Sequence, residues 1–278
     1  MSNTSLFSLE AAVGSRGRVN AWPLARVQFD REPVTDMESL IGRYRIREFQ
    51  SPFRSTVPLL AIVRNSPSIV DQVLRDFGFS ERATFHFEFR VKPPQGRGEA
   101  SHTDLMVRQG DAQLGIEAKW TEPTYPTVSE WLQPNGAESA NRRQVLAGWL
   151  NLIQPFASRS VAAEEVADVT YQTLHRAASA CAGVERPQLA YLQFGVDSEQ
   201  IELCREARLL DLGRLRDALG RPDQFPFRLI EIEIEPTSAF DGLRRLGKGE
   251  PKTGEAVRAA LMSRSLFTVK SVSVHSLP

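Results

Sequence analysis

The sequence predicts an α/β protein in which three consecutive strands are flanked by helical regions. Apolar residues recur at helical spacing before residue 79 and again after residue 137, but alternate with polar residues between 83 and 120. A further strand pattern follows the second helical region, and this mixed order favours one α/β domain. With 278 residues, 41% of them hydrophobic, the chain is long enough to bury a sizeable core.

The first helical region has recognisable ends. Asp36 can cap "MESLIGRYRIREF" and Ser55 can cap "TVPLLAIVRNSPSIVDQVLRDFGF", which Gly78 is expected to close. Residues 1–33 show no sustained period and are expected to form an irregular N-terminal arm. The predicted domain therefore spans residues 34–278, with a C-terminal elaboration.

The strands come next along the chain. "ATFHFEFRV" alternates phenylalanines with polar residues, as a half-buried strand does, and strands 102–109 and 112–120 flank a two-residue Gly110-Asp111 hairpin turn. A polar loop is expected at 121–136. The remaining predictions, in chain order, are helices at "ESANRRQVLAGWLNLI" and "SVAAEEVADVTYQTLHRAASACAG", the strand "QLAYLQFGV", the helix "SEQIELCREARLLDLGRLRDALG", the strand "FRLIEIEIEP", the helix "EAVRAALMSRSL" and a closing edge strand "FTVKSVSV".

Composition excludes several classes of protein. The formal net charge is zero, so a polyanionic partner would need a local basic patch. Cys181 and Cys204 provide neither a disulfide framework nor a C-x-x-C zinc pair, which favours a reducing cytoplasm. No signal peptide and no apolar run of membrane-spanning length is recognisable, so no membrane partner is expected.

The hairpin brings two acids together. Its predicted register pairs positions that sum to 221, which sets Asp104 opposite Glu117; a three-residue turn with a bulge would break this register. Like charges directly opposed on neighbouring strands repel, so a compensating cation is expected. Lys119 and His102 share the same face. A hard divalent metal with oxygen ligands fits such a site and would support phosphodiester hydrolysis, with Lys119 orienting the attacking water.

These residues resemble the PD-(D/E)xK nuclease superfamily. Asp104 is followed, after twelve residues, by Glu117-Ala118-Lys119, and the resemblance covers about residues 45–195. It implies a restriction-endonuclease-like core of helix, three antiparallel strands, helix and strand, here with extra helices and strands. It also implies that Asp104, Glu117 and the Ala118 carbonyl bind Mg²⁺, which Mn²⁺ can replace, and that Lys119 is catalytic. Thr103 stands where the family name has proline.

Three further residues are candidates for the same site. Glu48, near the end of the first helical region, could add a metal ligand, and Glu88 on the first strand is its rival for that role. Gln144 heads the helix after the motif, beside Arg142 and Arg143, where it could contact the site or the phosphate backbone. Each is also compatible with an ordinary solvated surface position.

Two other acidic motifs are weaker. Glu250-Pro251-Lys252 repeats the acid-x-Lys triplet, but its glycine- and proline-rich surroundings forbid a central strand. Glu231, Glu233 and Glu235 lie on one face of a predicted strand, with no partner histidine apparent, and are expected to form a charged edge that discourages aggregation. Neither is predicted to bind metal.

The sequence therefore predicts a Mg²⁺-dependent nuclease that hydrolyses phosphodiester bonds of nucleic acid, with DNA favoured, in bacterial defence or DNA processing. The alternative is a catalytically inactive module of the same fold that binds nucleic acid or assembles with protein. A third hypothesis is an enzyme that uses the same metal on another phosphorylated substrate. The sequence leaves the choice of DNA or RNA, the attack on ends or interiors, and the number of subunits open; a homodimer is one option.

Overall fold

The computed structural model describes residues 4–7, 26–133 and 137–277. Nine strands of these ranges form one mixed sheet in the order β1-β9-β8-β7-β6-β5-β4-β2-β3. The strands are β1 Thr4–Phe7, β2 Val27–Phe29, β3 Glu32–Pro33, β4 Thr84–Val91, β5 Ser101–Gln109, β6 Ala112–Lys119, β7 Arg186–Gly195, β8 Phe227–Pro236 and β9 Phe267–Ser276. The helices are α1 Met37–Arg43, α2 Thr56–Asn65, α3 Pro67–Asp76, α4 Val128–Leu132, α5 Ala137–Ile153, α6 Tyr171–Cys181, α7 Ser198–Ala218, α8 Ser238–Arg244 and α9 Pro251–Ser263.

Helices cover both faces of the sheet. One cluster of buried apolar side chains joins the sheet to α1, α2, α3, α8 and α9, and a second joins it to α5, α6 and α7. Along β7, Ala190 and Leu192 belong to the first cluster, whereas Leu189 and Tyr191 belong to the second. This alternation is the period-two pattern of a strand buried on both sides. The predicted α/β class is confirmed.

The centre of the sheet combines antiparallel and parallel strand pairs. Strands β4, β5 and β6 are consecutive antiparallel neighbours, and β7 then pairs parallel to β6 after a crossover that contains α4, α5 and α6. A parallel pair requires such a long connection. Strand β8 is parallel to β7, and β9 is antiparallel to β8.

The predicted hairpin is confirmed, and its register is confirmed up to Leu105 and Ile116, one position short of Asp104 and Glu117. The pairs run from Gln109 with Ala112 to Leu105 with Ile116, so opposed positions sum to 221 as expected. Gly110 has φ of +59°, which is the left-handed conformation that the turn needs and that glycine adopts without strain.

Several predicted elements have different boundaries. The helix expected over 37–49 ends at Arg43, and the helix expected over 160–183 is reduced to α6 Tyr171–Cys181. The helix expected over 56–79 is divided into α2 and α3 at Ser66, which has non-helical φ and ψ of −136° and 51°. Pro67 explains the break, because proline lacks an N–H and disfavours helical geometry in the residue before it. The loop expected at 121–136 contains α4, which Thr127 and Glu130 cap reciprocally.

The expected N-terminal arm is not irregular where the structure describes it. Residues 4–7 form β1 and pair with β9, while β2 pairs in parallel with β4. Residues 1–3 and 8–25 of the predicted arm lie outside the described residues. Within the described ranges, no helix has the length and apolar character needed to cross a bilayer.

The closing strand "FTVKSVSV" was predicted to be an edge, but it forms β9, which lies between β8 and β1. Strand β8 was predicted to be a charged edge, and this is also wrong. It lies between β7 and β9, and Glu231 is buried there, where it binds Arg205 at 2.8 Å and His275 at 2.7 Å. The partner histidine comes from β9, at a sequence distance that periodicity could not bridge.

Candidate functional site

Glu117 and Lys119 lie side by side on the face of β6 that packs against α6. The intervening Ala118 and the preceding Ile116 belong to the opposite apolar cluster, as strand alternation requires. Lys119 Nζ lies 3.0 Å from Glu117 Oε1, and the two residues are only 4% and 3% exposed. They form a buried ion pair rather than a solvated one.

Helix α6 supplies two further partners for Glu117. Arg176 Nε donates to Oε2, and Gln172 Nε2 donates to Oε1 at 2.8 Å. Burial acts to raise the pKa of Glu117, but the charges of Arg176 and Lys119 outweigh it and lower that pKa. The chain itself therefore supplies much of the charge compensation that the sequence assigned to a bound metal.

A close contact between β6 and α6 positions these partners. Gln113 Nε2 donates to the carbonyls of Ser179 and Ala180 at 2.9 and 3.0 Å, which holds the end of the helix on the strand. A Cβ at Gly115 would lie 3.3 Å from the Ala180 Cβ, so the glycine lets the helix lie this close. Glu117, two residues further along the strand, then lies beneath the preceding turn of α6.

Asp104 lies on the neighbouring strand beside this pair. Its Oδ2 accepts a hydrogen bond of 2.8 Å from the Ala118 N–H, and no partner for Oδ1 occurs in the described part of the chain. Burial, together with the charges of Glu117 and Glu88, raises the pKa of Asp104 well above its ordinary value, although Arg176 acts in the opposite direction. Negative charge at Asp104 is therefore incompletely compensated.

Glu88 continues the row of acids on the next strand. It would pair with Asp104, but the ladder is interrupted there, between the pairs Phe87–Leu105 and Phe89–Thr103. Its φ of +53° is unusual for a residue other than glycine and stores backbone strain. The Glu88 carboxylate lies 3.5 Å from His102 Nδ1.

The same distortion changes the side-chain pattern of β4. The sequence predicted that Phe85, Phe87 and Phe89 share one face, but Phe89 does not belong to the cluster that holds the other two. Its ring packs against His86, with centroids 5.3 Å apart. The left-handed residue at Glu88 turns the end of the strand, which a period-two pattern cannot anticipate.

Glu48 lies in a cavity beside the acids rather than next to Glu117. It pairs with Arg47 and Arg54, each at 3.0 Å. The cavity has a volume of about 290 Å³. Its lining includes Arg43, Tyr44, Arg45, Arg47, Glu48, Glu88, Arg90 and His102.

Tyr44 connects this cavity to Asp104. Its hydroxyl is buried without a hydrogen-bond partner in the described ranges. Burial, followed by the charges of Glu88, Asp104 and Glu48, raises the pKa of Tyr44 well above its ordinary value. Glu48, Glu88 and Asp104 are therefore all close enough to the Tyr44 hydroxyl to affect its pKa.

Gln144 is not brought to the site. It is exposed on α5 and makes no hydrogen bond to the acids or to Lys119 among the described residues. Instead, Gln172 and Arg176 of α6 contact Glu117, and the sequence did not predict either residue at the site. Their signal was available, since they are polar residues four apart on a helix rich in alanine, but only the tertiary contact distinguishes them from Gln144.

The donor set fits a divalent cation in part. Within the ranges that the structure describes, no group of three or more His, Cys, Asp and Glu side chains is arranged to hold a metal ion. Asp104 nevertheless has an uncommitted oxygen and excess negative charge around it. Glu117 uses three of about four acceptor sites of its carboxylate, so one remains. These are the oxygen ligands that Mg²⁺ prefers.

Comparison with known proteins identifies a family. The family model described as Domain of unknown function (DUF6946) matches residues 33–206, a range that contains every acid and base of this site. No curated protein and no solved structure matches the chain.

Proposed function

This chain belongs to the family described as Domain of unknown function (DUF6946), and we propose that it is a metal-dependent nuclease that hydrolyses phosphodiester bonds of nucleic acid. The observation that carries the proposal is the arrangement of Asp104, Glu117 and Lys119 on one face of a tight hairpin. An acid with incomplete charge compensation lies there beside an acid–lysine pair.

The topology supports the proposed restriction-endonuclease-like core. The resemblance implies a helix, three antiparallel strands, a helix and a strand, and the chain has α1 to α3, then β4, β5 and β6, then α4 to α6, then β7. Asp104 lies on the second of these strands and Glu117 and Lys119 on the third, as the resemblance implies.

The proposed roles follow from the contacts. Asp104 and Glu117 would hold Mg²⁺ or Mn²⁺, which supplies stabilisation of charge on the phosphoryl group and activates water. Lys119 holds Glu117 in place and would stabilise charge in the transition state. Glu48 and the Ala118 carbonyl remain secondary candidates for ligands. Hydrolysis adds water across one P–O ester bond and leaves a phosphate on one product and a hydroxyl on the other.

The arginine-lined cavity favours approach from the Asp104 side. Four arginines line it together with Glu48 and Glu88. Guanidinium groups bind phosphate oxygens well, and phosphate contacts position nucleic acid without reading its sequence. On the opposite side, Tyr125 covers Lys119, with its ring centroid 5.0 Å from Nζ. Access to the lysine would therefore require the 121–127 loop to move.

The test is cleavage of plasmid and of single-stranded DNA and RNA with Mg²⁺ or Mn²⁺. Lys119→Ala should reduce the rate by at least about a hundredfold, the usual scale for removing an electrostatic catalytic group. The chain offers a matched control in Lys252, which belongs to the other acid-x-Lys triplet and is exposed at the start of α9. Lys252→Ala should cleave like the wild type. Equal activity of both variants, or no metal-dependent cleavage at all, would contradict the proposal.

One observation favours the alternative, an inactive module that binds nucleic acid or protein. Glu117 and Lys119 are nearly fully buried, and Glu117 already binds Arg176 and Gln172. A satisfied ion network of this kind can be purely structural. Nucleic-acid binding that is unaffected by metal, without cleavage, would identify this alternative.

A further inference from the structure

A second cavity lies on the other side of the Glu117 network. Its volume is about 470 Å³, within the usual range for sites that bind small molecules. It is enclosed by the segment before β5, by α4 and α5, and by the start of α6. Its walls include Arg97, Trp131, Arg142, Trp149, Tyr171 and His175.

Hydrogen bonds connect this cavity to the proposed active site. Arg176 binds Glu117 with Nε and donates through Nη1 to Ser101 Oγ at 2.7 Å. Ser101, which lines the cavity, lies 2.9 Å from His175 Nδ1. A ligand in the cavity would therefore be connected to Glu117 through Ser101 and Arg176.

The contacts of His175 determine which proton its ring carries. Arg176 can only donate, and its Nη1 lies 3.2 Å from His175 Nδ1, so Nδ1 is the acceptor and Nε2 carries the hydrogen. Burial, followed by the charge of Arg176, lowers the pKa of His175 well below its ordinary value, which keeps the ring neutral. Nε2 has no hydrogen-bond partner among the described residues, so a donor remains for a ligand.

Arg97 places a cation at the rim. Its backbone is held by Asn141, which accepts from the Arg97 N–H at 2.7 Å and donates to the Arg97 carbonyl at 2.6 Å. Its guanidinium is exposed and has no acidic partner in the part of the chain that the structure describes. The cavity thus combines aromatic walls, one neutral N–H donor and one unpaired cation with two acids, Glu99 and Glu138, of which Glu138 pairs with Arg142.

We infer that this cavity binds one nucleotide whose base is unpaired, with the base against the stacked pair Trp131 and Tyr171 and the phosphate at Arg97. A planar heterocycle with acceptor atoms matches the walls and the His175 donor, and an anion matches the rim. A base within a duplex cannot enter a space enclosed by three elements, so the nucleotide must be free, in a single strand or turned out of its helix. This inference rests on the proposed function for its substrate, and it adds a preference for unpaired bases.

Binding is measured in EDTA, where cleavage cannot contribute. Intrinsic fluorescence comes from four tryptophans, of which Trp131 and Trp149 line the cavity. It is followed during titration with deoxynucleoside 5′-monophosphates, with 2-deoxyribose 5-phosphate, with a short single strand and with the matched duplex. We expect quenching by the nucleotides and by the single strand, with at least tenfold weaker binding of the sugar phosphate and of the duplex.

Three variants test the location. Arg97→Ala should weaken binding about tenfold, as expected for loss of a charge-assisted hydrogen bond. Ala100→Phe, which fills the cavity from its lining, should abolish binding. Arg143→Ala removes the same charge from an exposed position on α5 outside the cavity and should bind like the wild type.

The outcomes separate this inference from the proposed function. Binding that is equal for sugar phosphate and nucleotide, or that Ala100→Phe leaves intact, would overturn the nucleotide site. Binding of mononucleotides without binding of the single strand would overturn its assignment to a polynucleotide. If the wild type binds nucleotides in EDTA but cleaves nothing with Mg²⁺, the cavity inference stands and the nuclease proposal fails.

Discussion

Arg176 has the largest expected effect of any single residue at the site. It is buried against Glu117, and its removal leaves Lys119 as the one cation still paired with that buried carboxylate among the described residues. We expect Arg176→Met to lower the free energy of unfolding by about 3–5 kcal/mol, measured by urea denaturation. Arg221→Ala, which breaks an exposed pair with Asp217, is the matched control and should leave the denaturation midpoint unchanged.

A second variant tests the physical reason. If the loss comes from the weakened pairing of Glu117, Glu117→Gln combined with Arg176→Met should recover part of the stability, less the cost of leaving Lys119 without its carboxylate partner. Such recovery is expected because replacing both members of a buried pair is far less costly than removing one. A double variant that is no more stable than Arg176→Met would contradict the explanation.

Asp104 should make the protein less stable as pH rises. Its pKa is raised in the folded chain, so between the unfolded value of about 3.9 and the raised folded value the folded state holds more protons than the unfolded state. Stability therefore falls across that window with increasing pH. Asp104→Asn does not titrate, and its stability relative to the wild type should increase as pH rises from 4.

The response to divalent metal tests whether the acids around Asp104 bind a cation or only repel one another. A cation that binds only the folded chain raises the melting temperature with its concentration. MgCl₂ or MnCl₂ should therefore raise the melting temperature of the wild type but not that of Asp104→Asn, at constant ionic strength. An equal response of both proteins would mean that Asp104 is not a ligand.

At the level of elements, Glu231 joins three parts of the fold. It lies on β8 and binds Arg205 from α7 and His275 from β9. Burial acts to raise the pKa of Glu231, but the hydrogen bonds from His275 and Arg205 outweigh it and lower that pKa. Its contribution to stability is therefore present above the unfolded pKa and is lost as pH falls through the lower folded value.

Glu231→Gln should reduce stability by about 1–3 kcal/mol at neutral pH, because Arg205 and His275 lose their carboxylate partner. The variant should also lose less stability than the wild type between pH 5 and pH 3, followed by urea denaturation at each pH. Glu233→Gln on the same strand is the control, since Glu233 contacts only the Ser271 hydroxyl, at 3.2 Å, among the described residues. If the free energy of unfolding fell equally between pH 5 and pH 3 in the wild type and in Glu231→Gln, the Glu231 carboxylate would not be the source of this pH dependence.

Local pattern predicted most elements because it depends on neighbours in sequence. The hairpin register followed from Gly110-Asp111, and the N-cap of α1 followed from Asp36, which accepts from the Ser39 N–H at 2.6 Å. The Thr127-x-x-Glu130 capping box was also readable in the sequence and was overlooked. Pro67 was read as part of a longer helix although it favours a break.

The rest of the site depends on contacts that sequence spacing does not contain. Arg176 lies 59 residues from Glu117, and the contact exists because α6 packs closely on Gly115. The paired acids predict a cation nearby, and spacing points only to Lys119 and a metal, whereas the fold adds Arg176. The left-handed Glu88 was equally inaccessible, because a single strained residue leaves the alternating pattern of β4 unchanged.

For the whole molecule, charge distribution matters more than total charge. The chain has 34 basic and 34 acidic residues, so no net field draws nucleic acid to it. Any affinity must come from local patches, and the cavity that contains Arg45 and Arg90 is the patch nearest the acids. Binding should consequently involve few phosphate contacts and have a modest dependence on salt.

The salt dependence of single-strand binding measures those contacts. Each phosphate contact contributes about 0.7 to the slope of log affinity against log salt for a single strand. Arg45→Ala should reduce the slope by about that amount, and Arg45→Ala combined with Arg90→Ala by about twice as much, measured by fluorescence anisotropy in EDTA. Arg75→Ala, at an exposed position on α3 outside this cavity, should leave the slope unchanged. If all three proteins gave the wild-type slope, the strand would not pass through this cavity, and the approach from the Asp104 side would have to be abandoned.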